Sequence, residues 1–152
     1  MLKKISSQAV FAGVLMLAMS AQAWAVDPPS AGLGQAWPNT ADVSRSPNLH
    51  AYVFMLRGVK YVQVNDINGN VIGAVGTANG EFITLPIGRF SNLVSTPQEP
   101  AADTTAAAPA ATPTTVYQDA TTQITATPLS NGTMQLTAQA VCDPIECSNR
   151  IH

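Results

Sequence analysis

Four short runs rich in apolar and β-branched residues lie between His50 and Ile87, and short polar turns separate them. Two of these turns are Asn-Gly, at Asn68-Gly69 and Asn79-Gly80, which is the strongest short-range signal for a tight β-hairpin. The first turn, Arg57-Gly58, fits less well because Arg is a poor occupant of a position with positive φ. The stretch predicts a four-strand antiparallel meander over about 49–87.

The three turns can be checked against one another, because each turn of known length fixes the register of its two strands. With two-residue turns the predicted pairs are Leu56 with Val59, Phe54 with Tyr61 and Val53 with Val62; then Asn65 with Ile72, Val64 with Gly73, Gln63 with Ala74 and Val62 with Val75; then Gly76 with Ile83, Val75 with Thr84, Ala74 with Leu85 and Ile72 with Ile87. The three registers agree on which residues share a face, which supports the meander.

Both faces of the predicted sheet are largely apolar. The heavier face collects Tyr52, Phe54, Leu56, Val59, Tyr61, Ile72, Ala74, Ile83, Leu85 and Ile87, and the lighter face collects Ala51, Val53, Met55, Val62, Val64, Val71, Val75 and Phe82. A sheet with one face in water alternates apolar with polar residues, so this sheet is expected to be covered on both sides. The cover could come from an N-terminal arm, from the C-terminal segment or from a second copy of the chain.

The arm is the segment 26–48, which contains four prolines and no sustained period and is predicted to be irregular. Trp37 is the large apolar residue in its middle. We expect Trp37 to pin the arm against the sheet, and the sharper alternative is an exposed ring that stacks on a ligand. The predicted interaction surface combines this residue with the largest side chains of the heavier face: Trp37, Tyr52, Phe54, Tyr61, Ile83 and Leu85.

Composition changes abruptly after the meander domain, 49–94. In the segment 95–115, Ala, Thr and Pro account for 17 of 21 residues, which predicts an unstructured linker. The remaining segment, 116–152, contains a second hairpin candidate at about 121–141. Its incoming strand carries Ile124 and Ala126 on one face, and these should oppose apolar positions of the returning strand, namely Met134, Leu136 or Ala138. A two-residue turn at Asn131-Gly132 spoils this match, so we predict a loop of three or five residues, such as 129–131 with Asn131 left-handed.

The N-terminal segment 1–25 has two lysines, an apolar run and small residues spaced for cleavage, which predicts a secretory signal peptide. Its removal leaves five Lys/Arg against nine Asp/Glu, a formal charge of minus four. A nucleic-acid partner is therefore not expected, because such proteins concentrate basic residues on one face. The mature chain is expected to be periplasmic or secreted and not to span a membrane.

The strongest candidate for chemistry is the tail, where four residues lie between Cys142 and Cys147. In an oxidising compartment this spacing favours a small disulfide-closed loop, whereas it is not a recognised zinc spacing. Asp66, Asn68 and Asn70 alternate as in a calcium loop, but Val71 stands where that loop needs glycine. No catalytic, cofactor-binding or metal-binding residue is predicted.

An enzyme is not expected, because the mature chain offers no convergent nucleophile, base and orienting group. The leading hypothesis is a small exported, non-catalytic interaction module that binds another protein or itself through an apolar sheet face or edge. The alternative is a periplasmic carrier of a small ligand or a metal, using Trp37 and Tyr52 or the cysteine tail. No cofactor is predicted.

Overall fold

A computed structural model describes residues 30–103, 105 and 107–141. These residues form an all-β fold of two four-stranded sheets, which confirms the predicted fold class. The strands are β1 (Leu49–Leu56), β2 (Val59–Asp66), β3 (Val71–Ala78), β4 (Glu81–Leu85), β5 (Val94–Ser95), β6 (Thr114–Gln118), β7 (Thr122–Pro128) and β8 (Met134–Ala140), with a 3₁₀ turn at Ser91–Leu93. The predicted signal peptide and both tail cysteines, Cys142 and Cys147, lie outside the described residues.

The first sheet is the predicted antiparallel meander, in the order β1-β2-β3-β4. The pairs predicted from the first turn are found, and so are those from the third turn except Ile72 with Ile87; they include Phe54 with Tyr61 and Gly76 with Ile83. Both turns have two central residues with positive φ, at 52° for Arg57 and 53° for Asn79. Arg57 therefore takes the left-handed conformation that its type disfavours, because the flanking strands impose the primed turn that matches their twist.

The second turn differs from the prediction. The N–H of Gly69 donates to the Asp66 carbonyl at 3.0 Å, and of the two residues Asn68 and Gly69 only the glycine has positive φ. The Asp66 carboxylate accepts the backbone N–H groups of Asn68 and Asn70, at 2.8 and 2.9 Å, and so favours a three-residue loop with a bulge. Asn65 consequently opposes Val71, so its predicted pairing with Ile72 is wrong.

One further predicted pair, Ile72 with Ile87, is also absent, because β4 ends at Leu85 before reaching that level. Pro86 follows immediately and lacks the backbone N–H that a ladder needs. The chain then turns away from the sheet, while Arg89 and Phe90 donate backbone hydrogen bonds to Val71 and Ile72 at 2.8 and 3.0 Å.

The predicted C-terminal hairpin is the centre of the second sheet, whose order is β5-β8-β7-β6 with β5 parallel to β8. Ile124 opposes Ala138 and Ala126 opposes Leu136, as the apolar match requires. The strands leave a five-residue loop, 129–133, which confirms the odd length. Gly132 with φ of 82°, rather than Asn131, takes the positive-φ position.

Segment 95–115, which its composition predicts as an unstructured linker, contributes to the second sheet at both of its ends. Ser95 pairs in β5 and Thr114 in β6. Between them, Ala110 donates to the Pro128 carbonyl at 2.8 Å and Ser130 donates to that of Ala108 at 2.9 Å. The described part of this segment is therefore held by hydrogen bonds to the second sheet at 108, 110 and its two ends.

The two sheets pack face to face, and the lighter face of the meander is the buried one. One hydrophobic cluster joins residues of both sheets: Leu49, Ala51, Val62, Val64, Ile72, Val75 and Phe82 from the meander, and Val94, Val116, Tyr117, Ile124, Ala126, Leu136 and Ala138 from the second sheet. Ile72 belongs to this cluster although the predicted register assigned it to the heavier face. The C-terminal segment is therefore the cover of the lighter face, which leaves the heavier face pointing away from the second sheet. Within the described ranges there is no helix of a length and apolarity that could cross a bilayer.

Candidate functional site

The heavier face of the meander is the candidate site, and the arm divides it into a covered and an open part. Tyr52 and Phe54 are buried, with 5% and 3% of their surface exposed. Towards the end of the sheet that carries the first and third turns, Leu56 and Ile83 are 58% and 50% exposed. The predicted surface is thus not continuous.

Two buried amide side chains hold the arm on this face. Gln63 accepts a hydrogen bond from the Gly34 N–H at 2.6 Å and donates to the Gln35 carbonyl at 2.8 Å. Asn65 donates to the Ala36 carbonyl at 2.7 Å, and Gln63 also donates to the Asn65 side chain at 2.8 Å. Both amides have no exposed surface, and buried polar groups of this kind are stable only when they are paired.

Sequence reasoning missed this role of Gln63 and Asn65. The available signal was that both polar residues fall on the heavier face, two positions apart in a strand whose same-face neighbours Val59 and Tyr61 are apolar. Polar residues at consecutive positions of a covered face indicate that the cover offers backbone groups rather than side chains.

The arm also closes the outer edge of β1. Val43 donates its N–H to the Ala51 carbonyl at 2.8 Å, and the Asp42 carboxylate accepts the Ala51 N–H at 3.0 Å. The Thr40 hydroxyl donates to the Val53 carbonyl at 3.3 Å. An edge strand whose backbone groups are paired in this way offers less to an incoming strand.

The opposite edge, β4, is closed by side chains from the segment predicted as a linker. Gln98 accepts the Phe82 N–H at 3.2 Å, and Glu99 accepts the Thr84 N–H at 2.5 Å. The hydrogen bond from Thr84 lowers the pKa of the Glu99 carboxyl. Both edges of the meander are therefore occupied, which disfavours binding by strand addition.

The uncovered part of the heavier face is a contiguous apolar surface, called here the open patch: Leu56, Val59, Tyr61, Ile83 and Leu85. Tyr61 and Ile83 meet above Gly76, where an added methyl group would lie 3.2 Å and 3.0 Å from their side chains. A shallow hollow of about 120 Å³ adjoins them, bordered by Val59, Gly76, Ala78, Glu81 and Ile83 among others. Of the predicted surface residues, Tyr61, Ile83 and Leu85 belong to this patch.

A separate polar cluster connects the two sheets at their rim. Lys60 of β2 contacts the Asp119 carboxylate at 2.5 Å, and the Tyr117 hydroxyl donates to the same oxygen at 2.7 Å. Burial acts to raise the pKa of the Asp119 carboxyl, but hydrogen bonds from Lys60, Tyr117 and the backbone of Thr121 and Thr122 outweigh it and hold that pKa well below its usual range. Burial and the hydrogen bond to Asp119 raise the pKa of Tyr117.

The lowered pKa of Asp119 predicts a stability that depends on pH. A carboxyl whose pKa is lower in the folded state stabilises the fold above its unfolded pKa of about 4, and this contribution is lost as pH falls towards the folded value. We expect Asp119→Asn to flatten the loss of unfolding free energy below about pH 4, measured by urea unfolding across that range. Equal slopes for the wild type and Asp119→Asn would contradict the role of Asp119.

No cluster of three or more His, Cys, Asp or Glu side chains in the described part of the chain is arranged to hold a metal ion. His50 is paired through Nδ1 with the Asp42 carboxylate at 2.7 Å, and its ring stacks on buried Tyr52 at 6.1 Å. This arrangement orients the imidazole and fastens the arm to β1.

Comparison with protein families, with curated proteins and with solved structures finds no match for this chain. A function can therefore be proposed only from the geometry of the two-sheet fold and its partly covered face.

Proposed function

We propose that this chain is a small exported, non-catalytic interaction module that binds a protein chain through the open patch. The observation that carries the proposal is the exposure of Leu56 and Ile83, at 58% and 50%, on a sheet face where Tyr52 and Phe54 are buried. Large apolar side chains that adjoin one another at a surface are typical of interaction sites. Because both sheet edges are occupied, the face rather than the edge is the proposed contact.

The charges around the open patch favour a second copy of the chain as the partner. Arg57 and Glu81 stand at the first and third turns, which a meander places at the same end of the sheet. Two copies related by a two-fold axis can bring each Arg57 towards the Glu81 of the other copy. The apolar residues between these charges then face their own equivalents.

This proposal predicts the outcome of charge insertion into the patch. We expect Leu56→Asp and Ile83→Asp each to weaken self-association by at least about tenfold, because a carboxylate would be desolvated in an apolar contact. Light scattering coupled to size exclusion over a concentration series measures the effect. Met55→Asp is the matched control, since Met55 is 61% exposed but lies on the lighter face, and it should associate like the wild type.

A wild-type protein that stays monomeric at its highest soluble concentration would contradict the choice of a second copy. In that event, a cross-linking experiment in the native envelope tests a different protein partner, with the same two variants as negative controls. Cross-links that form equally in the wild type and in Ile83→Asp would contradict the patch itself.

The alternative hypothesis, a carrier of a small ligand, invoked Trp37 and Tyr52, and only one of these two residues is exposed. Tyr52 is buried beneath the arm and has no surface to offer a ligand, whereas Trp37 is 61% exposed. The cysteine tail invoked for metal binding lies outside the described residues.

A further inference from the structure

Among the large apolar residues in the described part of the chain, Trp37 and Met55 expose the largest share of their surface, 61% each. The indole lies over Gly69 in the turn between β2 and β3. A meander places this turn at the opposite end of the sheet from the open patch, so Trp37 is a separate surface feature. Exposing an indole ring to water is unfavourable. The contacts of its backbone and of its ring edge hold it in this exposed position.

The backbone on both sides of Trp37 is fixed. The preceding carbonyl, of Ala36, accepts the buried Asn65 amide at 2.7 Å, and the following residue is Pro38, whose ring restricts φ. The indole itself approaches Gly69 so closely that an added methyl group would lie 2.8 Å from Cε2. Glycine at 69 is thus what allows the ring to rest on the turn.

A column of rings supports the indole from its edge. Its centroid lies 5.6 Å from that of His50 in an edge-on arrangement, and His50 stacks on Tyr52. Asp42 holds the imidazole in place through Nδ1. The ring is therefore presented in one orientation, so a ligand that stacks on it loses little additional side-chain freedom.

The surroundings of the ring are polar, and the carboxylates among them accept hydrogen bonds. Asp42 is paired with His50 Nδ1, and Asp66 accepts hydrogen bonds from the Asn68 backbone N–H and the Asn70 side-chain amide. The two asparagines are exposed and stand on either side of Gly69. The Asn70 amide uses one N–H on Asp66 at 2.8 Å, and a primary amide has a second N–H and a carbonyl oxygen that can serve a neutral ligand.

We propose that Trp37 is a stacking platform for a neutral pyranose ring of a polysaccharide. A pyranose presents an apolar face of C–H groups to an aromatic ring and carries hydroxyl groups around its rim, which suits the indole with Asn68 and Asn70 beside it. A cationic ligand is disfavoured because Trp37 stands alone rather than within a cage of several aromatic rings. A proline-rich peptide is the competing ligand that the experiment must distinguish.

The test is retention of the full-length exported protein on insoluble neutral polysaccharides, using cellulose, chitin, xylan and mannan as probes. We expect retention on at least one of them, competed by its soluble oligosaccharide, and a loss of at least about tenfold in affinity for Trp37→Ala. Asn70→Ala should weaken retention by a smaller factor. The matched control is Met55→Ala, which removes an equally exposed apolar side chain and should bind like the wild type.

Trp37→Leu keeps an apolar contact with Gly69 but removes the aromatic face, so it tests stacking even if the alanine variant fails to fold. Wild-type binding to none of the four probes would overturn the proposal, as would undiminished binding by a folded Trp37→Leu protein. Retention on an immobilised proline-rich peptide instead of the polysaccharides would likewise overturn it. None of these results depends on the open patch, so the proposed function is judged separately.

Discussion

Replacing Gln63 and Asn65 together by leucine is expected to lower the free energy of unfolding by about 3 kcal/mol. The substitutions remove the donors and the acceptor that pair with the arm at Gly34, Gln35 and Ala36. Those backbone groups must then either stay buried and unpaired or return to water with the arm. Because the two amides also bond each other, the single variants should not add up to the double variant.

Release of the arm provides a second measurement. The Gly34 N–H donates to the Gln63 side chain at 2.6 Å, so hydrogen exchange of this amide should be faster in the double variant. Urea unfolding gives the free energy itself. Gln139→Leu, at an exposed amide of the second sheet, is the control and should stay within about 0.5 kcal/mol of the wild type. Unchanged stability and unchanged exchange of the Gly34 amide in the double variant would contradict the proposed attachment.

Gly88→Ala is expected to be at least as damaging, with a loss of about 3 to 5 kcal/mol or failure to fold. Gly88 has φ of 104°, and an added methyl group would lie 2.5 Å from the Ile72 carbonyl oxygen and 2.7 Å from the Gly73 nitrogen. Both are backbone atoms of β3 and cannot move aside as a side chain can. The chain crosses here from the first sheet towards the second, so the crossing itself would have to shift.

The control for this prediction is Gly80→Ala. Gly80 has a similar φ of 84°, but no atom lies within 4 Å of the added methyl group. It should therefore lose only the cost of the left-handed conformation, about 1 kcal/mol, in the same unfolding assay. Equal losses at the two glycines would show that the close approach of Gly88 to β3 is not limiting.

The structure divides the predicted interaction surface into a buried part and an exposed part. Tyr52 and Phe54 belong to the predicted surface but are covered in the folded chain, whereas Tyr61, Ile83 and Leu85 are within the open patch. Sequence alternation could place all five on one face, because the period of two is a local property of a strand. It could not divide them, because burial depends on where the remote arm lies.

The meander itself was largely predictable from local rules. The turns at Arg57-Gly58 and Asn79-Gly80 set the registers of their strands, and the odd loop of the C-terminal hairpin followed from matching apolar positions. The exception was the turn at Asn68-Gly69, where the Asp66 carboxylate favours a longer loop. This competing hydrogen bond lies only a few residues away, yet the turn signal alone did not reveal it.

The sequence by itself determined the strands, most of their pairing and the apolar character of both meander faces, because these depend on neighbours within one hairpin. Only the tertiary structure decided that the second sheet buries the lighter face, that Gln63 and Asn65 hold the arm, and that Gln98 and Glu99 close an edge. Each of these contacts joins segments distant in sequence. The Ala, Thr and Pro content of 95–115 gives no indication that Gln98 and Glu99 bind the edge of β4. The heavier face is consequently both a binding site for the arm and, at its two ends, a surface left for other molecules.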